Sequence, residues 1–314
     1  MKSRKKLTVA ALGFKGLEHY PTKHGQEAVD AMIEYLDFQL SFVLPSKPDI
    51  VVFPEACDRY PAHTADERFA YFDVRRDQVC DHLREVARKN SCYIAYSAAR
   101  KHADGSYRNT TELIGRDGKS VAAYNKNHCV TTEISVRTIR CGKEAPVFET
   151  EFGRIAFAIC FDLNFEELRL KYAAQSPDLV LFSSMYHGGL IQNYWAYSLG
   201  AYFVGAVCNE QCTVIDPLGE IVARSTNYSP YVITEINLDF QQVHLDFNWD
   251  KIKAAKDKYG AELVRTDRGH TGVIMLTSES NERTSLDVCR EFDIELWSDY
   301  YKRSLDAQLA NIEP

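Results

Sequence analysis

Three residues of chemically capable type fall where apolar runs end. Glu55 follows Val51-Val52-Phe53-Pro54, Lys126 follows Ala122-Ala123-Tyr124-Asn125, and Cys160 closes Arg154-Ile155-Ala156-Phe157-Ala158-Ile159. Loops at the carboxyl ends of such strands are where α/β proteins put ligands and reacting groups. Asp162, Asn164 and the amphipathic stretch Glu166-Glu167-Leu168-Arg169-Leu170 come after Cys160, and Asn164 with Glu167 three residues on reads as a helix cap. A thiol just ahead of a helix N-terminus meets unpaired N–H groups and the positive dipole end, which favours a nucleophilic thiolate. A carboxylate directly after so apolar a run is partly desolvated, which lifts its pKa towards that of a general base. The Lys126 ammonium could hold a developing oxyanion. Taken singly, each has a plain alternative: a buried packing thiol, a solvated loop acid and a surface lysine.

The elements that would position these groups alternate. Leu7 to Leu12 reads as a strand, and Val29, Met32, Leu36, Leu40 and Val43 then recur at helical spacing up to Pro45. Asp49-Ile50-Val51-Val52-Phe53 is the near-continuous apolar run expected of a strand buried on both faces. A helix over Asp77 to Lys89, a strand over Cys92 to Tyr96, and two strands (109 to 114 and 119 to 124) joined by an Arg116-Asp117-Gly118 turn complete the first half. The second half repeats the rhythm: a strand at 154–160, a helix at 166–175, a strand at 179–182, and a helix around 194–199. Strands at 203–207, 213–215, 221–223 and 232–236 follow. This alternation predicts an α/β chain, and the similar halves, each ending in paired strands, suggest a pseudo-two-fold sandwich of two sheets. No Gly/Ser/Pro linker divides them, so the chain reads as one domain over 1–314. Its core is about 7–240, and 241–314 form a more polar C-terminal extension with a helix near 250–259.

The chain has 314 residues, 45% of them apolar, with 37 Lys and Arg against 44 Asp and Glu for a net charge of -7. That composition excludes collagen-like and disordered classes, and without a basic stripe it argues against nucleic acid as a partner. The basic start over residues 1–6 and the apolar 7–14 imitate a signal peptide. The run is short and no small-residue cleavage site follows, so a first strand is the better reading. No apolar run approaches the length of a membrane span. Nine cysteines, an odd number with no Cys-x-x-Cys, fit free thiols in a reducing cytoplasm rather than a disulfide framework or zinc site.

Together these residues resemble the nitrilase superfamily of carbon–nitrogen hydrolases, whose mark is a Glu–Lys–Cys set at three strand ends in that order. Val51-Val52-Phe53-Pro54-Glu55 matches its first block, and Tyr124-Asn125-Lys126 with Glu133 seven residues on matches the second. The third block matches in Gly153 to Asp162 with Phe165, Glu167 and Leu168, and Asp216-Pro217-Leu218-Gly219 resembles a later turn. The resemblance implies a four-layer α-β-β-α sandwich, usually dimeric or in higher homo-oligomers, acting on a small amide or N-carbamoyl substrate without metal or organic cofactor. It implies Glu55 as general base, Cys160 as nucleophile, and Lys126 with the backbone N–H of Phe161 as oxyanion donors, with Glu133 orienting Lys126 or the leaving nitrogen. Aromatic loop residues suggest a compact, partly apolar pocket. Tyr186 and His187, in the stretch after Phe182, and Tyr60 and His63, beyond Glu55, are candidates to line it. Many amidase-like members carry Arg-Phe-Pro-Glu after the cysteine. Here Asn164-Phe165-Glu166-Glu167 stands instead, and typical nitrilases' Trp-Glu is also absent. An amidase or N-carbamoyl hydrolase is therefore expected, with an acyltransferase or a non-catalytic binding protein on the same fold as alternatives.

Overall fold

The β-branched and aromatic runs of the chain form strands, and the 3.6-periodic stretches form the helices that cover them. The computed structural model describes residues 6–18, 24–136, 138–269 and 271–313. The basic residues 1–5 lie outside the described residues, and the first strand begins directly after them. In chain order the first half holds β1 (Lys6–Leu12), α1 (Gly25–Ser41), β2 (Ile50–Val52), α2 (Ala65–Arg75), α3 (Gln78–Asn90), β3 (Tyr93–Lys101), β4 (Tyr107–Ile114) and β5 (Ser120–Asn125). Then follow α4 (Thr131–Ser135), β6 (Phe148–Glu149), β7 (Arg154–Ile159), α5 (Glu166–Ala173), β8 (Leu179–Ser184), α6 (Leu190–Leu199) and β9 (Tyr202–Val207). The half ends with β10 (Thr213–Ile215), β11 (Ile221–Arg224) and β12 (Tyr231–Asn237).

Among the described residues these strands make two six-stranded sheets, ordered β12-β1-β2-β3-β4-β5 and β11-β10-β9-β8-β7-β6. The halves match strand for strand. In the first, β1, β2 and β3 run parallel and β4 and β5 return antiparallel. In the second, β7, β8 and β9 run parallel, with β10 and β11 antiparallel. Helix α1 is held on its sheet by Val29, Met32, Leu36 and Leu40, which join Val51 and Phe53 in one cluster. On the other sheet Val180 and Phe182 pack with Trp195 of α6. Leu179 and Leu181 alternate to the opposite face of β8 and are equally buried, because the two sheets pack face to face. The result is an α-β-β-α sandwich with pseudo-two-fold halves. The Ser183 hydroxyl, at the end of β8, donates to the Phe53 carbonyl at the end of β2 at 2.8 Å and pins the sheets at the ends that carry Glu55 and Cys160.

The chain divides into two compact units, Leu7–Ile236 and the residues from Asn237 on. The second unit, taken by itself, has a three-stranded antiparallel sheet, β13 (Phe240–His244), β14 (Leu263–Thr266) and β15 (Val273–Ser278), with β15 central. Helices α7 (Trp249–Tyr259), α8 (Ser285–Glu291) and α9 (Trp297–Leu309) accompany it. It has its own core of Val243, Ile252, Leu263, Ile274, Leu276 and Val288. Of this unit, α7 matches the helix expected near 250–259.

Candidate active site

Glu55, Lys126 and Glu133 meet in one buried cluster. The chain leaves β2 through Phe53, whose N–H donates to Ala95 of β3 at 3.1 Å, and the Cys57 N–H donates to Ser97 at 3.0 Å, so β3 fixes the loop on both sides of Glu55. Lys126 follows β5 directly, and its N–H donates to the Asn109 carbonyl at 2.8 Å. Glu133 is carried by the one-turn helix α4 and accepts the Val130 N–H at 2.9 Å. The Lys126 ammonium lies 2.8 Å from Glu55 Oε1 and 2.8 Å from Glu133 Oε2. Asn109 closes the ring, its Nδ2 donating to Glu55 Oε1 at 2.7 Å and to Glu133 Oε1 at 2.9 Å. Glu55 and Glu133 are each 4% exposed and Lys126 1%, so these charges survive burial only because each answers another. Burial acts to lower the Lys126 pKa, but Glu55, Cys160 and Glu133 together outweigh it and hold the ammonium above the usual lysine range. For Glu133 burial acts upward, and the Lys126 charge with three hydrogen bonds brings its pKa below the usual value.

Cys160 sits at the turn where β7 ends, with φ +49°. This left-handed conformation is unusual for a residue with a Cβ and is paid for by surrounding contacts. The Asp162 carboxylate supplies them. Wholly buried, it accepts the Ile159 N–H at 3.0 Å, the Tyr124 hydroxyl at 2.7 Å and the His128 N–H at 2.8 Å. The turn is a 3₁₀ turn over Cys160–Asn164, and α5 starts only at Glu166. The cap read over Asn164 and Glu167 is therefore corrected. Asn164 donates to Tyr186 Oη at 2.9 Å and to the Phe161 carbonyl at 3.2 Å, while Glu167 lies 3.0 Å from His128 Nε2. The expected thiolate is corrected as well. Burial first, and the neighbouring Glu55 charge second, push the Cys160 thiol up to about 12, and Lys126 and the Met185 backbone only partly offset them. Both influences favour the protonated sulfur, and the Glu55 carboxylate able to take its proton lies beside it.

Glu55, Lys126, Glu133 and Cys160 all line one cavity of about 250 Å³, with Asn109, Asp58, Arg59, Arg68, Phe72 and Met185 among the other walls. Tyr60, Tyr186 and His187 are not among the residues that line this cavity, although Tyr186 is near enough to Cys160 and Lys126 to feel their charges. Tyr60 is buried in the α1-side core, where its hydroxyl donates to the Ala28 carbonyl at 2.6 Å and its ring stacks on His63. Tyr186 packs against the second-sheet core and takes up Asn164, and His187 Nδ1 accepts the Gly189 N–H at 3.1 Å. The Phe161 ring is 37% exposed and meets Phe165 edge-on. From the stretch after Phe182, Met185 is the residue that reaches the cavity. Asn109, Asp58, Arg59 and Arg68 escaped the sequence reading. Asn109 looks like an ordinary strand residue, and only the pairing of β4 with β5 places it beside Lys126. Among the described residues no group of three His, Cys, Asp or Glu side chains is arranged to hold a metal ion, and no helix is long and apolar enough to cross a membrane.

Comparison with known proteins points the same way. The family model described as carbon–nitrogen hydrolase matches residues 26–243. The chain is similar to omega-amidase NIT2 of Homo sapiens, 24% identical over 210 residues that cover 59% of this chain and 71% of the human one. Among solved structures it is similar to Nit3 of Saccharomyces cerevisiae, a member of branch 10 of the nitrilase superfamily, with TM-score 0.59 and 16% identity over 76% of this chain and 92% of that one. It also matches a mutant of the amidase from Nesterenkonia sp. AN1, with TM-score 0.56 and 16% identity over 76% of this chain and 92% of that one. That mutant shows covalent addition of the acetamide moiety of fluoroacetamide at its active-site cysteine.

Proposed function

This chain belongs to the carbon–nitrogen hydrolase family of the nitrilase superfamily, and from that premise we propose that it hydrolyses an amide or N-carbamoyl bond of a small molecule through a thioester on Cys160. The observation that carries the reading is a cysteine sharing one small cavity with buried carboxylates that grip a buried ammonium. Glu55 takes the thiol proton as sulfur attacks the carbonyl carbon, so no free thiolate has to persist in the buried site. The negative charge that develops on oxygen falls to Lys126 and the Phe161 backbone N–H. Lys126 is already held by Glu55 and Glu133, so it is oriented before the substrate arrives and reorganises little. As the tetrahedral intermediate collapses, Glu55 returns the proton to the leaving nitrogen, and ammonia or amine departs. Water enters, gives a proton to Glu55, and opens the thioester to the free acid as Cys160 recovers its proton.

The similarity to omega-amidases and amidases puts simple carboxamides first among substrates. The protein is read as a cytoplasmic enzyme, since its cysteines are free thiols. It is read as a homodimer or higher homo-oligomer, since α6 exposes an apolar stripe. The test is ammonia release from a panel of small amides, N-carbamoyl amino acids, ureas and nitriles, with Cys160→Ala beside the wild type. Release by wild type alone is expected. Equal release by both proteins would remove the thiol mechanism, and silence across every amide and carbamoyl compound would remove the reading itself.

A further inference from the structure

His128 stands where two parts of the site meet: the loop after β5, which carries Lys126, and the turn after β7, which begins at Cys160. Its backbone N–H donates to Asp162 Oδ1 at 2.8 Å, and its ring Nδ1 lies 3.1 Å from the same oxygen. On the other side of the ring, Nε2 lies 3.0 Å from Glu167 Oε1 of α5. The ring also stacks on Phe165, which joins the turn to α5, with centroids 3.8 Å apart and planes 6° from parallel. One side chain of the Lys126 loop therefore touches the Cys160 turn, its exit and the helix that follows.

Both ring nitrogens face carboxylate oxygens, and an ionised carboxylate only accepts. A neutral imidazole has one N–H and one bare lone pair, so it sets that lone pair against one of the two carboxylates. The imidazolium donates to both. Asp162 strengthens the case. It is wholly buried, and its donors are the Ile159 and His128 N–H groups, the Tyr124 hydroxyl and the His128 ring. Of these only the ring can carry a positive charge, and a buried carboxylate without a cation is costly. Burial of the ring acts to lower its pKa, but Asp162 and Glu167 outweigh it and hold it above the ordinary histidine value. The groups that face the ring are Asp162 from the turn, Glu167 from α5 and, through Asp162, Tyr124 from β5. Nearby cations have other partners: Lys126 is held by Glu55 and Glu133, Arg169 by Glu166, and Lys171 acts on Glu167.

We propose that His128 is a positioning residue whose imidazolium locks the Cys160 turn to the Lys126 loop, so that sulfur and ammonium keep their mutual place only while the ring holds its second proton. The inference rests on the amidase reading above and adds a proton-controlled regulation to that site. Its direction in pH follows from linkage. A pKa raised by folding gives stability in full below the unfolded value of about 6.5, and that stability is lost as pH rises through the folded value. The lock is closed in mildly acidic solution and opens on the alkaline side.

The test compares wild type with His128→Asn, whose amide NH₂ stands in for the Nδ1 donor but carries no charge. In ¹⁵N-imidazole NMR spectra the signal missing from the variant is His128, and it is expected to titrate above the ordinary value, with both nitrogens protonated below that point. The ratio of wild-type to variant kcat for ammonia release cancels titrations that the two proteins share. It is expected to fall about tenfold between pH 6 and pH 9 with KM little changed, as befits the loss of a hydrogen bond between charged groups. A histidine that serves packing alone would leave this ratio level. A level ratio, or a His128 titration at or below the ordinary value, would overturn the proposal and leave the amidase reading intact. If His128→Asn does not fold, His128→Gln, whose amide stands in for Nε2, takes its place in the same comparison. No ammonia from any compound at any pH would fell the amidase reading and the positioning role with it.

Discussion

At the residue scale the chemistry turns on which group holds a proton before substrate arrives. A thiol pushed up to about 12 is a poor nucleophile by itself, so the proposed mechanism needs Glu55 as proton acceptor more than one built on a preformed thiolate would. Glu55→Gln keeps an oxygen for Asn109 and Lys126 but removes the base. We expect kcat to fall by about 10²- to 10⁴-fold with a small change in KM, read in single-turnover ammonia release. The same thiol leaves a mark on stability. Below pH 9 both the folded and the unfolded chain keep the Cys160 proton. Between about 9 and 12 the unfolded chain loses it first, so folding stability drains away as pH rises, by up to about 1.4 kcal/mol per pH unit from this group. Thermal melts between pH 8 and 10 should therefore show a steeper alkaline decline for wild type than for Cys160→Ala, and parallel declines would contradict the raised thiol. Glu55, Lys126 and Cys160, which the structure brings to one cavity, could be singled out in the sequence because each closes an apolar run, a local property, and because together they match a family pattern. The protonation state of the thiol was not, because it is set by Glu55 and by burial, both long-range. The 3₁₀ turn also separates Cys160 from the α5 N-terminus that was expected to lower it.

At the scale of elements, the strands that deliver the reacting groups could be read from period-2 or continuous apolar runs, and α1 from its stripe. Helix α2 could not. Its buried face is Tyr71, Phe72 and Arg75, and a buried arginine has no apolar periodicity to betray it; it is inside because Asp58 is there to receive it. The helix nonetheless brings Arg68 and Phe72 to the cavity. It is started by a capping box in which the Thr64 hydroxyl accepts the Glu67 N–H while Glu67 accepts the Thr64 N–H at 2.8 Å. Thr64→Ala should cost about 1 kcal/mol, seen as a lower urea midpoint at unchanged m-value. It should also raise KM, because the wall that α2 provides loosens. A shift in midpoint with KM untouched would mean that α2 is held by its packing alone. Asp162 is the corresponding staple on the other side of the site. Asp162→Ala takes away the acceptor for Ile159, Tyr124 and His128 and leaves the first two donors buried without a partner, so kcat should fall well beyond what lost stability explains.

For the whole molecule, the outward face of α6 connects assembly to chemistry. Leu190, Tyr194 and Tyr197 follow one another at i, i+4 and i+7, and they are 82%, 46% and 40% exposed. Gln192, Trp195 and Ala196 on the other face are buried. An exposed apolar stripe is the kind of surface that self-association would use, and the proposed oligomer requires it. The inner face is not inert. The Trp195 indole N–H donates at 3.1 Å to the Leu163 carbonyl, inside the turn that begins at Cys160. A force on α6 therefore reaches the Cys160 turn through one hydrogen bond and the Trp195 packing against Tyr172. Wild type is expected to sediment at equilibrium as a multiple of the chain mass, and Leu190→Asp with Tyr194→Ser as single chains. In those single chains kcat should drop severalfold while KM changes little, because the turn is less well held but the Asp58 and α2 walls are not touched. A wild type that sediments as one chain removes the stripe as a self-association surface. Dissociated chains that keep full kcat would show instead that association and catalysis are independent, and that the Trp195 bond serves packing only.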